Sequence, residues 1–182
     1  MQPILHTQRL TLRPFRFDDV PDVHRMAGDP RIADTTIAMP HPYPEGAAKA
    51  WISSHAAAYD AAKEITFAVV KTDGGSLIGC VTLLDISKLH ARAALGYWTG
   101  VEYWSKGFCT EAVVRLIEFA QQELKTNRII ATCLARNVAS SRVMEKAGLK
   151  REGCLVQHIN KNGCYEDMLL YGLILPGRYD AK

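Results

Sequence analysis

The sequence lacks any long apolar run and any strong excess of one charge. No stretch of about 18 apolar residues occurs in the chain, so we expect neither a membrane-spanning segment nor a membrane partner. His6, Gln8 and Arg9 stand where a secretory leader needs an apolar core, which favours a cytoplasmic protein. The chain has 22 Lys and Arg against 19 Asp and Glu, a net charge of +3, and the two signs are interspersed. This balance predicts no direct nucleic-acid binding.

The five cysteines and six histidines show no spacing typical of a disulfide framework or a metal site. Because Cys-x-x-Cys is absent and no two histidines stand at ligand spacing, we expect no metal and a reducing compartment. What remains is an ordinary globular composition, with 48% hydrophobic and 23% charged residues. The length predicts one domain over residues 1–182.

Two familiar phosphate-binding signatures are also missing, Gly-x-x-x-x-Gly-Lys-Ser/Thr and a Gly-x-Gly-x-x-Gly that follows a strand. The chain instead has an aromatic strand at 93–99, a short loop with Ser105, Lys106 and Gly107, and a helical pattern after Glu111. The apolar face of that helix consists of two rows at helical spacing, Ala112, Leu116, Phe119 and Val113, Ile117, Ala120, Leu124. A helix N-terminus attracts anions and glycine lets a ligand approach the backbone. The loop is therefore either an anion site or an ordinary strand–loop–helix connection.

The rest of the chain alternates strands and helices. The pattern predicts strands over 9–15, 65–70, 76–86, 91–99 and 128–134, helices over 18–28, 45–63 and 137–147, and a final strand pair around Lys161-Asn162-Gly163. The proline-rich residues 32–44 are predicted to form a loop. This order predicts an α/β (α+β) protein with a mixed sheet and helices on both faces.

Several ordered motifs resemble the GNAT acyltransferase superfamily, and within it the ribosomal-protein N-terminal acetyltransferases of the RimJ/RimL type. The motif segments are 7–14, 95–98, 103–112, 137–149, 152–153 and 165–167. The resemblance covers about residues 7–175. It implies a single-domain GNAT fold, mostly antiparallel, with a V-shaped splay between two central strands where the cofactor enters.

The resemblance also implies acetyl-coenzyme A as co-substrate, with its pyrophosphate on the N–H groups of residues 104–110. The family pattern there is Gln/Arg-x-x-Gly-x-Gly/Ala, and this chain departs from it with Trp104 and Cys109 while keeping Gly107. The strand before the loop would pair with the pantetheine arm, and Asn137 would contact a pantetheine amide. The implied cofactor-binding residues are Tyr97, Trp98, Thr99, Trp104, Ser105, Lys106, Gly107, Phe108, Cys109, Thr110 and Asn137.

The resemblance implies Ser140 as the catalytic proton donor to the leaving thiolate, with Ser141 as its rival. Cys109 permits a covalent reading, because a thiol at a helix N-terminus has a lowered pKa, but its position also fits a small filler residue. Ala94 replaces the carboxylate that the branch often carries. The other candidates for a general base are Glu64, Asp85, His90 and Glu102, and the sequence selects none of them.

These residues predict acetyl transfer from acetyl-coenzyme A to a primary amine by direct attack, with a protein or peptide N-terminal α-amine as the favoured acceptor. The alternatives are a small-molecule amine, such as a polyamine or an aminoglycoside, and a non-catalytic coenzyme A-binding module. The enzyme is expected to be a monomer or a homodimer.

Overall fold

The computed structural model describes residues 1–176, so residues 177–182 of the predicted domain lie outside the described part. The strands are β1 (Leu5–His6), β2 (Leu10–Arg13), β3 (Ile65–Lys71), β4 (Leu77–Ser87), β5 (Arg92–Thr99), β6 (Arg128–Leu134), β7 (Lys150–Lys161) and β8 (Cys164–Ile174). The helices are α1 (Val20–Ala27), α2 (Pro30–Thr35), α3 (Ala47–Asp60), α4 (Phe108–Gln122) and α5 (Val138–Lys146). Within residues 1–176, no helix has the length and apolarity needed to cross a bilayer.

The strands form one sheet in the order β1-β2-β3-β4-β5-β6-β8-β7. All neighbours pair antiparallel except β5 and β6, which are parallel and joined through α4. Ile65, Phe67 and Val69 of β3 pack into the larger apolar cluster with α4, while Ala68 and Val70 pack with α1 and α3. Helices cover both faces, so β3 reads as a nearly continuous apolar run. The predicted fold class is confirmed.

The local signals explain the main helices. Pro21 lies in the first turn of α1 and Gly28 caps its end. Both predicted rows of α4 lie against the sheet, with Ala112, Val113 and Leu116 buried. Gly148, at φ +93°, follows the last turn of α5, and the Asn162-Gly163 turn has positive φ at both residues, as a type I′ hairpin requires.

Three local predictions were wrong. Residues 30–35 form α2, although the loop was predicted from residue 32, because the Asp29 carboxylate accepts a hydrogen bond from Arg31 N and Pro30 fits the first turn. The first helix does end near residue 28 as predicted, and Asp29 and Pro30 then start a second helix. Helix α4 begins at Phe108, one turn before Glu111, because Gly107 serves as its N-cap. Strand β1 was not predicted, since its two residues are too few to show a period.

The central sheet splays between β5 and β6. These strands pair only from Arg92↔Arg128 to Leu95↔Ala131, at their N-terminal ends, whereas β5 continues to Thr99 and β6 to Leu134. The two strands therefore diverge beyond Leu95, and the C-terminal part of β5 has a free edge on this side. The V-shaped opening that the resemblance implied is present at this point.

Candidate functional site

The loop between β5 and α4 presents a run of unused N–H groups. From residue 105 to residue 110, no backbone N–H donates a hydrogen bond to any acceptor within residues 1–176, and Glu111 is the first to bond back, to Gly107 O at 3.1 Å. Ser105 (φ +60°) and Gly107 (φ +78°) both have left-handed backbone, which turns these N–H groups away from a regular strand or helix. They lie at the positive end of the 15-residue α4. Such an arrangement binds phosphate groups well.

Two side chains of the loop anchor it to the residues that precede it. The Trp104 indole N–H donates to Thr99 O at 2.8 Å, which anchors the loop to the end of β5. The Lys106 ammonium donates to Glu102 O at 2.7 Å, so in this structure its charge is directed at the preceding turn and not at the loop N–H groups. Trp104 thus has a structural use that explains why an aromatic residue can stand in the Gln/Arg position.

The residues at the end of β5 point to different faces. Trp98 lies on the face of α1 and α3, with its ring 6.4 Å from the Trp51 ring. Tyr97 faces the opposite side and packs against the larger core cluster. The side chains of both residues are therefore committed to packing, and it is their backbone that borders the splay.

Ser140 and Ser141 have different hydrogen-bond partners. The Ser140 hydroxyl lies 2.8 Å from the Tyr97 phenol oxygen, and the phenol also donates to Ser140 O at 3.1 Å. Burial raises the pKa of Tyr97 well above its ordinary value, so the phenol keeps its proton. Ser141 is buried, with its hydroxyl 3.5 Å from the Cys133 sulfur in the core. Of the two serines, only Ser140 lies beside β5.

Asn137 caps α5 and reaches across to α2. Its side-chain oxygen accepts from Ser140 N at 3.0 Å, and its amide nitrogen donates to Thr35 O at 3.0 Å. The adjacent Arg136 forms ion pairs with Asp34 at 2.7 Å and with Glu166 at 2.6 Å. The side chains at the end of β6 thereby fix α2 across the open end of the splay.

Cys109 lies in the first turn of α4, but its surroundings do not activate it. Burial raises the pKa of the Cys109 thiol to about 12, which is opposite to the lowering that its place at a helix N-terminus had suggested. A covalent mechanism through Cys109 therefore has no physical support, whereas a role as a small space-filling residue is compatible with the contact between Cys109 and the core.

Of the remaining candidate bases, two are held by neighbouring side chains and two lie on an exposed hairpin. Ala94 pairs with Leu84 and with Ile130, at the point where the splay opens. Glu102 is held in an ion pair with Arg25 at 2.7 Å, and Glu64 accepts a hydrogen bond from Thr66 at 2.6 Å. Asp85 and His90 are exposed on the β4–β5 hairpin, at the opposite end of β5 from the loop.

A cleft of about 410 Å³ lies between α2 and the loop, and its lining residues are Pro30, Arg31, Asp34, Thr35 and Trp104. Trp104 follows the end of β5, and Thr35 contacts Asn137 at the end of β6. The cleft therefore opens at the C-terminal ends of the two splayed parallel strands, where ligands of open α/β sheets commonly bind. Within the described residues, no group of three or more His, Cys, Asp or Glu side chains could hold a metal ion.

Sequence reasoning missed Arg9, although it stands in one of the recognised motif segments. Its guanidinium donates to Lys106 O at 3.2 Å and forms an ion pair with Glu111 at 2.6 Å. The residue just before β2 thus contributes a side chain to a loop that lies nearly a hundred residues further along the chain. No periodicity or local spacing links two such distant positions.

Comparison with known proteins matches residues 9–150 to a family described as "Acetyltransferase (GNAT) domain". A Bacillus subtilis protein named "Uncharacterized N-acetyltransferase YoaA" is 28% identical over 97% of this chain and 99% of its own length. A solved structure of RimL, a ribosomal L7/L12 alpha-N-protein acetyltransferase in complex with coenzyme A, superposes with a TM-score of 0.87 at 18% identity, covering 95% of this chain and 98% of that one. At that identity, the superposition shows a shared fold.

Two further relatives have names that specify an acceptor. The Escherichia coli "Ribosomal-protein-serine acetyltransferase" is 31% identical over 62% of each chain. The Vibrio cholerae "Spermidine N(1)-acetyltransferase" is 28% identical over 55% of this chain and 58% of its own. The two acceptors named for these relatives belong to different chemical classes, a protein and a polyamine.

Proposed function

Because this chain belongs to the GNAT acetyltransferase family and is an acetyl-coenzyme A-dependent N-acetyltransferase, we propose that it acetylates the N-terminal α-amine of a protein or peptide. The observation that carries the assignment of the cofactor site is the run of unpaired N–H groups at residues 105–110, beside the splay. Those groups bind the pyrophosphate, and the free edge of β5 receives the pantetheine arm. Asn137 at the end of β6 flanks that arm.

Acetyl-coenzyme A supplies an activated acyl group as a thioester. The acceptor nitrogen attacks the carbonyl carbon, a C–N bond forms and the C–S bond breaks. Ser140 gives its hydroxyl proton to the departing thiolate, and the Tyr97 phenol, which stays protonated, orients that hydroxyl. The attacking nitrogen releases its extra proton to water, and water returns a proton to Ser140, which leaves the serine unchanged at the end of the reaction. A backbone N–H of β5 stabilises the charge that develops on the carbonyl oxygen.

No base is assigned to the site among residues 1–176, and this favours an α-amine as acceptor. An α-amine has a pKa near 7.7–8.0, so deprotonation at pH 7 costs about 1 kcal/mol, whereas a lysine at 10.4 costs about 4–5 kcal/mol. A site without a base meets the first cost with a rate penalty of under about tenfold. The second cost slows the reaction by about three orders of magnitude unless burial lowers the lysine pKa.

The charges at the cleft favour a peptide over a polyamine. Asp34 is the carboxylate among the lining residues, and Arg136 pairs with both of its oxygens, at 2.7 and 2.9 Å. These hydrogen bonds lower the pKa of Asp34, and they pair its carboxylate with Arg136, so that the carboxylate is not free to bind a polyamine ammonium. Arg31, another lining residue, is paired with Asp29 at 2.6 Å, so neither lining charge is free. A cleft for a multiply charged cation needs an excess of free carboxylates.

The test compares three acceptors with acetyl-coenzyme A at pH 7, and mass spectrometry measures the products. One peptide has a free N-terminus and no lysine, a second of the same sequence is N-blocked and carries a single lysine, and the third acceptor is spermidine. We expect the free N-terminus to react fastest. Faster acetylation of the blocked lysine peptide or of spermidine would overturn the proposed acceptor while leaving the N-acetyltransferase activity in place.

A further inference from the structure

The guanidinium of Arg9 is held rigidly at the edge of the loop. Its Nε donates to Glu111 at 2.6 Å and its Nη1 donates to Lys106 O at 3.2 Å. Its plane stacks over the Phe108 ring, with 4.5 Å between the guanidinium carbon and the ring centroid. Three independent contacts therefore fix a side chain that is 45% exposed and would otherwise be mobile.

The remaining nitrogen of Arg9 is not used within the protein. Nη2 donates to no acceptor in the part of the chain that the structure describes, which leaves two N–H donors free. It is also the neighbour of the open side of Gly107: a Cβ built on that glycine would lie 3.4 Å from Nη2, with no other side chain within 4 Å. The free donors thus lie beside the unpaired N–H groups of the loop.

Glu111 explains why an arginine is needed at this place. Its carboxylate lies in the first turn of α4, where a negative charge would repel a bound phosphate. Thr7 donates to it at 2.6 Å, and Arg9 donates through both its backbone N–H and its side chain. Burial alone would raise the pKa of Glu111, but these hydrogen bonds outweigh it and lower the pKa, so the carboxylate is ionised and paired. The Glu111 charge is thereby neutralised by Arg9 and directed away from the loop.

We propose that Arg9 is a binding residue for the coenzyme A pyrophosphate, donating through Nη2 while Glu111 and Phe108 hold it in position. The inference rests on the proposed pyrophosphate site at residues 105–110 and adds to it a side chain from the residue just before β2. Backbone N–H groups supply partial charges, and Arg9 adds the two free N–H donors of its Nη2, whereas the Lys106 ammonium is bonded to Glu102 O and directed away from the loop N–H groups. The guanidinium fork suits two phosphate oxygens at once.

The experiment measures dissociation constants by calorimetry for coenzyme A and for dephospho-coenzyme A, which keeps the pyrophosphate and lacks the 3′-phosphate. The variants are Arg9→Gln and Arg9→Lys. The matched control is Arg128→Gln, which removes a similar half-exposed pair, with Glu152, at the opposite end of β6. Thermal melting without ligand reports on folding. Because Arg9→Lys keeps the positive charge and loses only the guanidinium fork, it still tests the proposed contact if Arg9→Gln folds poorly.

We expect Arg9→Gln to weaken both ligands by about tenfold, as for loss of a charge-assisted hydrogen bond at a partly exposed site, with Arg9→Lys in between. Arg128→Gln should bind both as the wild type does. Affinities within twofold of wild type for Arg9→Gln would overturn the inference, and so would a loss confined to coenzyme A, which would assign Arg9 to the 3′-phosphate. If the wild type itself binds neither ligand, the proposed site fails as a whole, an outcome distinct from failure of Arg9 alone.

Discussion

Gly107→Ala, compared with Gly46→Ala as a control, distinguishes destabilisation by backbone strain from loss of coenzyme A binding. Gly107 caps α4 with φ +78° and ψ −2°, and Gly46 caps α3 with nearly the same conformation, φ +77° and ψ −15°. A Cβ at Gly46 would meet nothing within 4 Å, and one at Gly107 would meet only Arg9 Nη2, at a contact distance of 3.4 Å. Alanine should therefore strain both positions equally, at about 1–2 kcal/mol each.

That strain corresponds to a fall of about 2–8 °C in Tm for a protein of this size. The two variants should differ only with coenzyme A present. At a ligand concentration of 100 times the wild-type Kd, binding stabilises the native state by about 2.7 kcal/mol. Gly46→Ala should keep this gain. If Gly107→Ala weakens binding tenfold, because its methyl group occupies the space above the loop N–H groups, the gain falls to about 1.4 kcal/mol.

The assay is thermal melting of the wild type and both variants, with and without coenzyme A, together with calorimetric Kd values. A Gly107→Val variant should remove the ligand-induced shift altogether, because a branched side chain fills more of the same space. Equal coenzyme A affinity for Gly107→Ala and Gly46→Ala would refute the reasoning, since the loop would then not be the phosphate site.

Three further outcomes are expected. Ser140→Ala should lower kcat by about a hundredfold with an unchanged Kd for coenzyme A, as loss of a proton donor predicts, and stopped-flow measurement of thiol release checks it. A thiol pKa of about 12 instead of 9.0 lowers the thiolate fraction about a thousandfold, so at pH 7 iodoacetamide should modify the exposed Cys154 long before Cys109, and mass spectrometry of timed samples would contradict us if it did not. The pKa of Asp19 is raised by burial but lowered overall by hydrogen bonds from Arg13 and the backbone, so its folded value lies below its unfolded value and its contribution to stability is lost as pH falls through the acid range. Urea unfolding of Asp19→Asn should therefore show a weaker loss of stability below pH 5 than the wild type shows.

The sequence predicted those parts of the site that arise from local signals. The strand–loop–helix unit around Gly107 and the helix started by Asn137 depend on capping residues and apolar periods within a few positions, and both are present. The splay was accessible only through the family resemblance. It depends on where β5 and β6 stop pairing, and no pattern within either strand encodes that point.

The contacts that were not predicted join residues far apart in the chain. Arg9 meets Lys106 and Tyr97 meets Ser140 because the sheet order brings their elements together. The pKa of Cys109 was expected to fall and is raised, because the local sequence shows the helix N-terminus but not the burial that outweighs it. Both kinds of error follow from the same cause, since tertiary environment is not contained in a short window of sequence.

The splay also divides the sheet into two units for folding. Strands β1 to β5 pair with sequence neighbours, and so do β7 and β8. Within the sheet, the two halves meet through only four parallel residue pairs between β5 and β6, in addition to the shared apolar core, the Tyr97–Ser140 hydrogen bonds and the contacts of α2 with Arg136, Asn137 and Lys161. Local contacts form early and the parallel junction requires closure of a long crossover, so we expect the junction to form late. The boundary between the two units coincides with the splay, where we propose that the cofactor binds. A ligand bound along this boundary would contact both halves and stabilise their junction. Coenzyme A binding should therefore raise the free energy of unfolding of the junction between the two units.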